Sequence, residues 1–193
     1  MSNKKSIGSF YTPKVIADFL VDYLSKKIIG KDMSILEPSA GDGIFVKSLL
    51  AHKTLSKKIY KIIAVEREEN ELAKINAITK NKILKSHHAD FLDFQKENKE
   101  QFSLVIGNPP YFKKNLLSKV QQELSLQIFK DAGLNYKSAK NIWAAFFVRS
   151  ISFVNENGLL AMVLPSDFKQ VSFAKDLREL LKNKFERVFI LDV

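Results

Sequence analysis

The tetrapeptide Asn108-Pro109-Pro110-Tyr111 combines residue types suited to holding a planar amine. Two consecutive prolines make a stiff loop, so the Asn108 side-chain oxygen and the Asn108 backbone carbonyl can face the same point. Two acceptors that hold both N–H bonds of an –NH2 group draw electron density back to its nitrogen and favour in-line attack. Tyr111 offers a flat face on which a planar substrate can stack. Because asparagine takes no proton at neutral pH, the loop predicts positioning and electrostatics rather than general-base catalysis.

A glycine-containing segment, residues 37–43 (EPSAGDG), lies between a predicted strand and a predicted helix. Its glycines let backbone amides approach a ligand near a helix N-terminus, where negative charge is favoured. The G-x-G-x-x-G spacing is not met, because Val46 stands at the third position. Glu66 follows 23 residues after Gly43, at the end of the next strand, where a carboxylate can accept both hydroxyls of a ribose. A tight turn, followed by an acidic residue at the start of a helix, is the alternative interpretation of these residues without a cofactor site.

Asp90 and Phe91 follow the third predicted strand. A carboxylate can accept from an exocyclic amine, and an aromatic face can pack on a purine ring. A helix N-cap followed by a core phenylalanine is the alternative interpretation of this pair alone. Taken with Glu66 and the glycine segment, the pair predicts an adenosine pocket.

The elements that must position these loops alternate between apolar runs and amphipathic stretches. This alternation predicts an α/β fold with a mostly parallel sheet covered on both faces, and such sheets bind ligands at the carboxyl ends of their strands. Residues 112–142 break the alternation and are predicted to form an excursion over that edge. The predicted strands are 34–36, 62–65, 82–87, 102–106, 159–164 and 188–191, and the predicted helices are 44–52, 67–79, 143–154 and 171–182.

Composition narrows the function classes. The 193 residues are 46% hydrophobic, enough for one domain with a core, and the net charge of +10 favours a polyanionic partner. There is no cysteine, which excludes disulfides, thiolate metal sites and cysteine nucleophiles; no metal site is predicted. The N-terminus lacks the apolar region of a secretory signal, and the apolar runs are too short to span a bilayer. We therefore expect a cytoplasmic protein without a membrane partner.

Together these motifs resemble the S-adenosylmethionine-dependent adenine-N6 DNA methyltransferases of the gamma-type motif order, found in restriction–modification systems of bacteria and archaea. The resemblance runs from Gly8 to Val193. Its most specific matches are Gly8 to Pro13, Glu37 to Gly43, Glu66, Asp90-Phe91 and Asn108 to Tyr111, with looser matches at Asn141 to Trp143, Phe146 and Gly158 to Phe168.

The resemblance implies a Rossmann-like methyltransferase fold, a three-layer α/β/α sandwich, with S-adenosylmethionine as cofactor. It implies that Glu66 binds the ribose hydroxyls, that Asp90 and Phe91 bind the cofactor adenine, and that Asn108 with Pro109 and Pro110 holds the target amine. Tyr111 would stack on an adenine flipped out of double-stranded DNA. The resemblance places Thr12 and Pro13 against the methionine end of the cofactor, with the Glu37 to Gly43 loop beside them. The other residues implied to bind the cofactor are Tyr11, Glu37, Pro38, Ser39, Gly41, Gly43 and Asn108.

The cysteine count agrees with an amine target, since cytosine-C5 methylation needs a cysteine nucleophile. The segment from Phe112 to Arg149 also carries seven basic residues against Glu123 and Asp131, and these could neutralise phosphates around an extruded base. A solvated lysine face is an equally good explanation for any single one. Lys113 and Lys114, which adjoin Tyr111, are the predicted nucleic-acid contacts.

The chain departs from the family pattern at its C-terminal end. The family sheet has seven strands with an antiparallel last strand, and residues 187–193 are predicted to be the sixth. We therefore expect residues 1–193 to be a C-terminally incomplete catalytic domain without the seventh strand or a target-recognition domain. Cofactor binding is expected to be retained. Specific methylation would then need a C-terminal target-recognition region or a specificity subunit.

Two alternatives stay open. A glutamine-N5 methyltransferase acting on release factors also uses Asn-Pro-Pro-Tyr, although the Phe10-to-Pro13 loop and the basic segment argue against it. A non-catalytic cofactor-binding or DNA-binding subunit of a larger assembly is the other. A nicotinamide dehydrogenase fits less well, because no residue pattern supplies an acid or base for hydride transfer.

Overall fold

The computed structural model describes residues 11–28, 30–95, 100–135, 141–170 and 174–192. Within these ranges five strands form one parallel sheet in the order β3-β2-β1-β4-β5. The order reverses between β1 and β4, which places a topological switch point beside the glycine segment and the Asn108 loop. The strands are β1 (Met33–Glu37), β2 (Ile59–Glu66), β3 (Leu84–His88), β4 (Phe102–Gly107) and β5 (Val154–Met162).

Helices cover both faces of the sheet and bury alternate side chains of its strands. Ile35 of β1 points into a core shared with α1 (Lys14–Ser25) and α2 (Ile44–Ala51). The adjacent Leu36 points into a core shared with α4 (Lys119–Asp131), α5 (Ile142–Ile151) and α6 (Lys175–Lys184). The predicted three-layer α/β/α architecture is confirmed. The helices are α1 (Lys14–Ser25), α2 (Ile44–Ala51), α3 (Glu69–Asn76), α4 (Lys119–Asp131), α5 (Ile142–Ile151) and α6 (Lys175–Lys184).

Several elements differ from the prediction. Helices α1 and α4 were not predicted, and α4 forms the body of the predicted excursion. The predicted helix 143–154 is too long, because the Phe153 carbonyl accepts a hydrogen bond from Phe102 N (2.8 Å) and brings the chain into the sheet before Val154. Residues 171–173, where the last helix was predicted to begin, lie outside the described ranges.

The predicted sixth strand is wrong. Val188, Phe189, Ile190 and Leu191 are exposed and pair with no strand. Phe189 instead meets the ring of Tyr23 on α1 edge-to-face, with centroids 6.5 Å apart. A β-branched run becomes a strand only where a neighbouring strand satisfies its backbone groups, and local composition cannot supply that neighbour. Among the described residues, no helix combines the length and apolar character needed to cross a bilayer.

Candidate functional site

A cleft of about 240 Å³ opens at the carboxyl ends of the central strands, as the fold predicted. It collects residues from four separate loops, those that follow β1, β2, β3 and β4. The predicted site residues that line it are Tyr11, Pro38, Ser39, Gly41, Glu66, Asp90, Phe91, Asn108 and Pro110.

The glycine segment is tied to the end of β2 by the Glu66 carboxylate. Gly41 N donates to Glu66 Oε2 (2.7 Å), and Glu68 N donates to Glu66 Oε1 (2.8 Å). Gly41 adopts a left-handed backbone conformation with φ of +54°, which brings its N–H toward this acceptor. One carboxylate therefore fixes the loop after β1 and the start of α3 on either side of the cleft.

Gly43, also predicted as a cofactor residue, is buried beneath the loop and does not line the cleft. Its φ is +75°, and a Cβ at this position would lie 2.4 Å from Ile78 Cδ1. We expect Gly43→Ala to lower the free energy of unfolding by about 1–3 kcal/mol in a urea titration, through backbone strain and overpacking. Gly41→Ala is the control, because it carries the same left-handed backbone strain while its Cβ would meet only the Tyr11 ring at 3.7 Å, so we expect a smaller loss without the overpacking. Equal losses in both variants would contradict this explanation.

Glu37, the first residue of the glycine segment, is completely buried, and its Oε2 atom has no hydrogen-bond partner among the described residues. Burial raises the pKa of the Glu37 carboxyl well above its usual value, the Asp42 carboxylate raises it further, and a hydrogen bond from the Val46 backbone opposes them. The Glu66 carboxylate also acts to raise it. The Asp42 and Glu66 carboxylates therefore place Glu37 in a locally acidic environment.

This burial predicts a pH dependence of stability. The folded state holds the Glu37 proton more tightly than the unfolded state does. The resulting contribution to the free energy of unfolding is fully present below pH 4.5, and it is lost as the pH rises toward the raised pKa of Glu37 in the folded state. We expect the wild-type protein to lose stability relative to Glu37→Gln as the pH increases above that value. Urea titrations of both proteins from pH 4 to pH 8 measure the difference. A constant difference across the series would refute the prediction.

Asp90 and Phe91 form the wall opposite the glycine segment. Asp90 Oδ1 accepts from Leu92 N (3.0 Å), and Asp90 Oδ2 accepts from Gln121 Nε2 (2.8 Å). The Phe91 ring lies 5.3 Å from the ring of Phe146 while contributing to the cleft surface. Phe91 is therefore a core residue that also lines the cleft, and the adenosine pocket stays a prediction.

Arg149 is buried and holds this turn in place, so it is not a phosphate contact as the count of basic residues had suggested. Its Nε donates to the Phe91 carbonyl (2.6 Å) and its guanidinium also donates to the Phe94 carbonyl. Burial lowers the pKa of Arg149, which Asp93 and Asp90 oppose. The guanidinium lies over the rings of Phe91 and Phe153.

The Asn108 loop meets the N-terminal loop and the glycine segment at the end of β4. Asn108 Nδ2 donates to Thr12 Oγ1 (3.0 Å), and Ser39 Oγ donates to the Asn108 backbone carbonyl (3.0 Å). The Tyr111 hydroxyl is within hydrogen-bond distance of Asn108 Oδ1 and of the Val163 carbonyl. The orientation of Asn108 is therefore set by side chains from three different segments.

The remaining predicted residues lie around the cleft rather than on its surface. Thr12 and Pro109 are buried behind Asn108, and the Pro13 carbonyl caps α1 by accepting from Ile16 N and Ala17 N. Burial raises the pKa of the half-buried Tyr111 phenol well above its usual range. Lys113 is exposed beside this loop, and Lys114 begins a short 3₁₀ turn.

Other cleft residues were missed by the sequence analysis. Gln121 belongs to the pattern Ser118-x-x-Gln121, a capping-box signature that could have located the start of α4. Ile142 and Phe146 belong to the looser family matches but were not predicted as site residues, because apolar residues at these spacings are also typical of a core. Phe112 carries no comparable local signal. The other lining residues not predicted are Val65, Arg67, Glu68, Asn70, Glu71 and Ala89.

The cleft is acidic although the protein is basic. Among the described residues that line it are four acidic side chains, Glu66, Glu68, Glu71 and Asp90, and one basic side chain, Arg67, whereas the whole chain carries a net charge of +10. Glu68 pairs with Arg67 and Glu71 pairs with Lys74, so the negative charge of the cleft rests mainly on Glu66 and Asp90. A cationic ligand is favoured in such a cleft, and a polyanion is favoured on the surface outside it. Within the described ranges, no group of three or more histidine, aspartate and glutamate side chains is arranged to hold a metal ion.

Comparisons with known proteins agree with this geometry. The type I restriction-modification methyltransferase subunit from Streptococcus thermophilus has the same fold, with a TM-score of 0.70 and 20% identity over 91% of this chain and 39% of that chain. The type II methyltransferase M.HincII from Haemophilus influenzae is 26% identical over 99% of this chain and 34% of that protein. M.CvrRI from Paramecium bursaria Chlorella virus XZ-6E is 29% identical over 94% of this chain and 42% of that protein.

The chain spans about a third of the length of the curated relatives M.HincII, M.HindII and M.AccI. The family model described as Eco57I restriction-modification methylase matches residues 23–193, which include the glycine segment and the Asn108 loop. This chain therefore belongs to the Eco57I restriction-modification methylase family.

Proposed function

We propose that this chain binds S-adenosylmethionine in the acidic cleft and transfers its methyl group to the exocyclic N6 amine of adenine in DNA, within a restriction–modification system. The observation that carries the proposal is the position of the Asn108 loop at the rim of a cleft lined by Glu66 and Asp90. An amine-holding loop and an adenosine-type pocket thus share one cavity. The family membership supports methylation of DNA, and the adenine target is the further step of this proposal.

The residues of the cleft suit this cofactor in charge and shape. S-adenosylmethionine carries a sulfonium and an ammonium cation, which the carboxylates of the cleft favour. Glu66 would accept from the ribose hydroxyls, since each carboxylate oxygen keeps a lone pair beyond its bond to a backbone N–H. Asp90 would accept from the adenine amine, and the Phe91 ring would pack on the adenine face. When bound, the cofactor supplies an electrophilic methyl group.

Asn108 would hold the target amine through two oxygen atoms. Its backbone carbonyl accepts from the Ser39 hydroxyl, and its Oδ1 lies within hydrogen-bond distance of the Tyr111 hydroxyl. A carbonyl oxygen can accept from two donors, so each would also accept an N–H of the substrate. Accepting both N–H bonds directs the nitrogen lone pair toward the methyl group and stabilises the positive charge that develops there. The amine proton leaves to solvent, because asparagine cannot take it.

The partner is proposed to be double-stranded DNA with a flipped adenine. Lys113, exposed beside Tyr111, and Lys114 would neutralise phosphates near the extruded base. For Tyr111 to stack on that base, its hydroxyl would leave the contacts with Asn108 and Val163. A target-recognition region or a specificity subunit would select the DNA sequence.

Transfer of a labelled methyl group from S-adenosylmethionine tests the proposal. The assay contains the chain together with its target-recognition region or specificity subunit, and plasmid DNA and a release factor are offered as separate acceptors. We expect label in DNA and, after digestion to nucleosides, in N6-methyldeoxyadenosine. Label in N4-methyldeoxycytidine would overturn the adenine assignment, and label in the release factor alone would favour the glutamine-N5 alternative. A protein that neither binds S-adenosylmethionine nor transfers label to any acceptor would overturn the proposed function.

A further inference from the structure

Gln121, on the first turn of α4, is a cleft residue that belongs to none of the predicted motifs. It is 9% exposed and lines the cleft beside Asp90. Its Nε2 atom donates to Asp90 Oδ2 (2.8 Å), which links the helix of the excursion to the loop after β3. No other side chain of α4 lines the cleft.

The two ends of the Gln121 amide have different and fixed partners. Nε2 faces a carboxylate, which can only accept, and Oε1 accepts from Ser118 N (3.3 Å) in the capping box at the start of α4. The same box places the Ser118 hydroxyl on Gln121 N (3.2 Å). A 180° flip of the amide group would lose both contacts, so the side chain is held in one orientation.

We propose that Gln121 is a positioning residue for cofactor recognition, which orients the Asp90 carboxylate toward the cofactor adenine and joins it to the start of α4. This inference rests on the proposed function. Leu92 N donates to Asp90 Oδ1. Without the second hydrogen bond from Gln121, the Asp90 carboxylate could turn about the hydrogen bond to Leu92. A neutral donor suits this place, because it fixes the carboxylate without forming an ion pair that would weaken it as an acceptor.

The position of Gln121 gives it a second consequence. Helix α4 belongs to the segment that follows the Asn108 loop, and Phe112 in the same segment lines the cleft. The residue that orients the adenine-binding carboxylate therefore also fixes the first turn of the segment nearest to the proposed DNA contacts at Lys113 and Lys114. The proposed cofactor binding and the position of that segment therefore both depend on the side chain of Gln121.

A double-mutant cycle tests the inference, with Gln121→Glu, Asp90→Asn and their combination titrated with S-adenosylmethionine by calorimetry. Gln121→Glu keeps a capping acceptor at this position but sets a carboxylate against Asp90, so we expect the Kd to rise about tenfold or more. In the Asp90→Asn background the same substitution should raise the Kd by less than about threefold. There the amide introduced at position 90 can donate to the carboxylate introduced at position 121, which restores the contact with reversed polarity.

Two controls separate this role from helix capping and from charge. Ser118→Ala removes the cap and leaves the Gln121–Asp90 contact, and Gln122→Glu makes the same charge change one residue further along α4. Both are expected to bind S-adenosylmethionine within about twofold of the wild-type Kd. Equal loss with Ser118→Ala, or the same fold-change for Gln121→Glu in both backgrounds, would overturn the inference. A wild-type protein that is folded but binds no S-adenosylmethionine would instead overturn the proposed function.

Discussion

Replacing Asn108 with alanine is expected to lower the rate of methyl transfer to DNA by a factor of about 10²–10³ while the Kd for S-adenosylmethionine changes by much less. The substitution removes the Oδ1 acceptor proposed to hold the target amine. The backbone carbonyl of residue 108 and its bond from Ser39 would remain. Single-turnover transfer of a labelled methyl group, measured beside a calorimetric titration, separates the chemical step from cofactor binding.

Thr12→Val is the matched variant for this prediction. It removes the acceptor of Asn108 Nδ2 but leaves both proposed amine acceptors in place, so only the orientation of the side chain is weakened. We expect a smaller loss, about tenfold in rate. If Asn108→Ala transfers methyl groups as fast as the wild-type protein, Asn108 does not hold the reacting amine.

Replacing Glu66 with alanine should produce the largest loss of cofactor affinity, about 100-fold in Kd. The carboxylate is the proposed acceptor for two ribose hydroxyls, and it also holds the amides of Gly41 and Glu68 on either side of the cleft. The variant therefore loses ligand contacts and the fixed position of the glycine segment together. Calorimetric titration with S-adenosylmethionine measures the change.

Glu69→Ala is the control for Glu66→Ala, because it removes the same charge from an exposed position three residues along the chain. It should bind S-adenosylmethionine within about twofold of the wild-type Kd, since an exposed charge is screened by solvent. Similar weakening in both variants would mean that net charge, and not the placement of Glu66, accounts for the effect.

The sequence was sufficient to predict the sheet and the edge at which the cleft lies. The predicted runs at 62–65, 82–87 and 102–106 correspond to β2, β3 and β4 of the parallel sheet, and their loops meet because carboxyl ends of parallel strands share one edge. Glu66, Asp90 and Asn108 could be predicted as cleft residues from their places after these strands. Their hydrogen-bond partners could not, because those lie up to 96 residues away along the chain.

The environments of residues 188–191 and of Arg149 depend on tertiary packing and could not be predicted from the sequence. Residues 188–191 have strand-forming side chains, yet Phe189 packs against Tyr23 instead of extending the sheet. Arg149 looked like one more surface cation, but its guanidinium is buried over Phe91 and donates to two backbone carbonyls. In each case the residue type was compatible with two environments, and only the neighbours supplied by the fold select one.

Calorimetric titration of the 193-residue chain with S-adenosylmethionine, beside NAD as a second adenosine-containing ligand and Asp90→Ala as the site variant, tests the central claim most directly. We expect saturable one-to-one binding of S-adenosylmethionine, a strongly raised Kd in Asp90→Ala and no response to NAD. Absence of S-adenosylmethionine binding by a chain whose circular dichroism shows it to be folded would contradict the assignment of this cleft, and unchanged binding by Asp90→Ala would place the cofactor elsewhere.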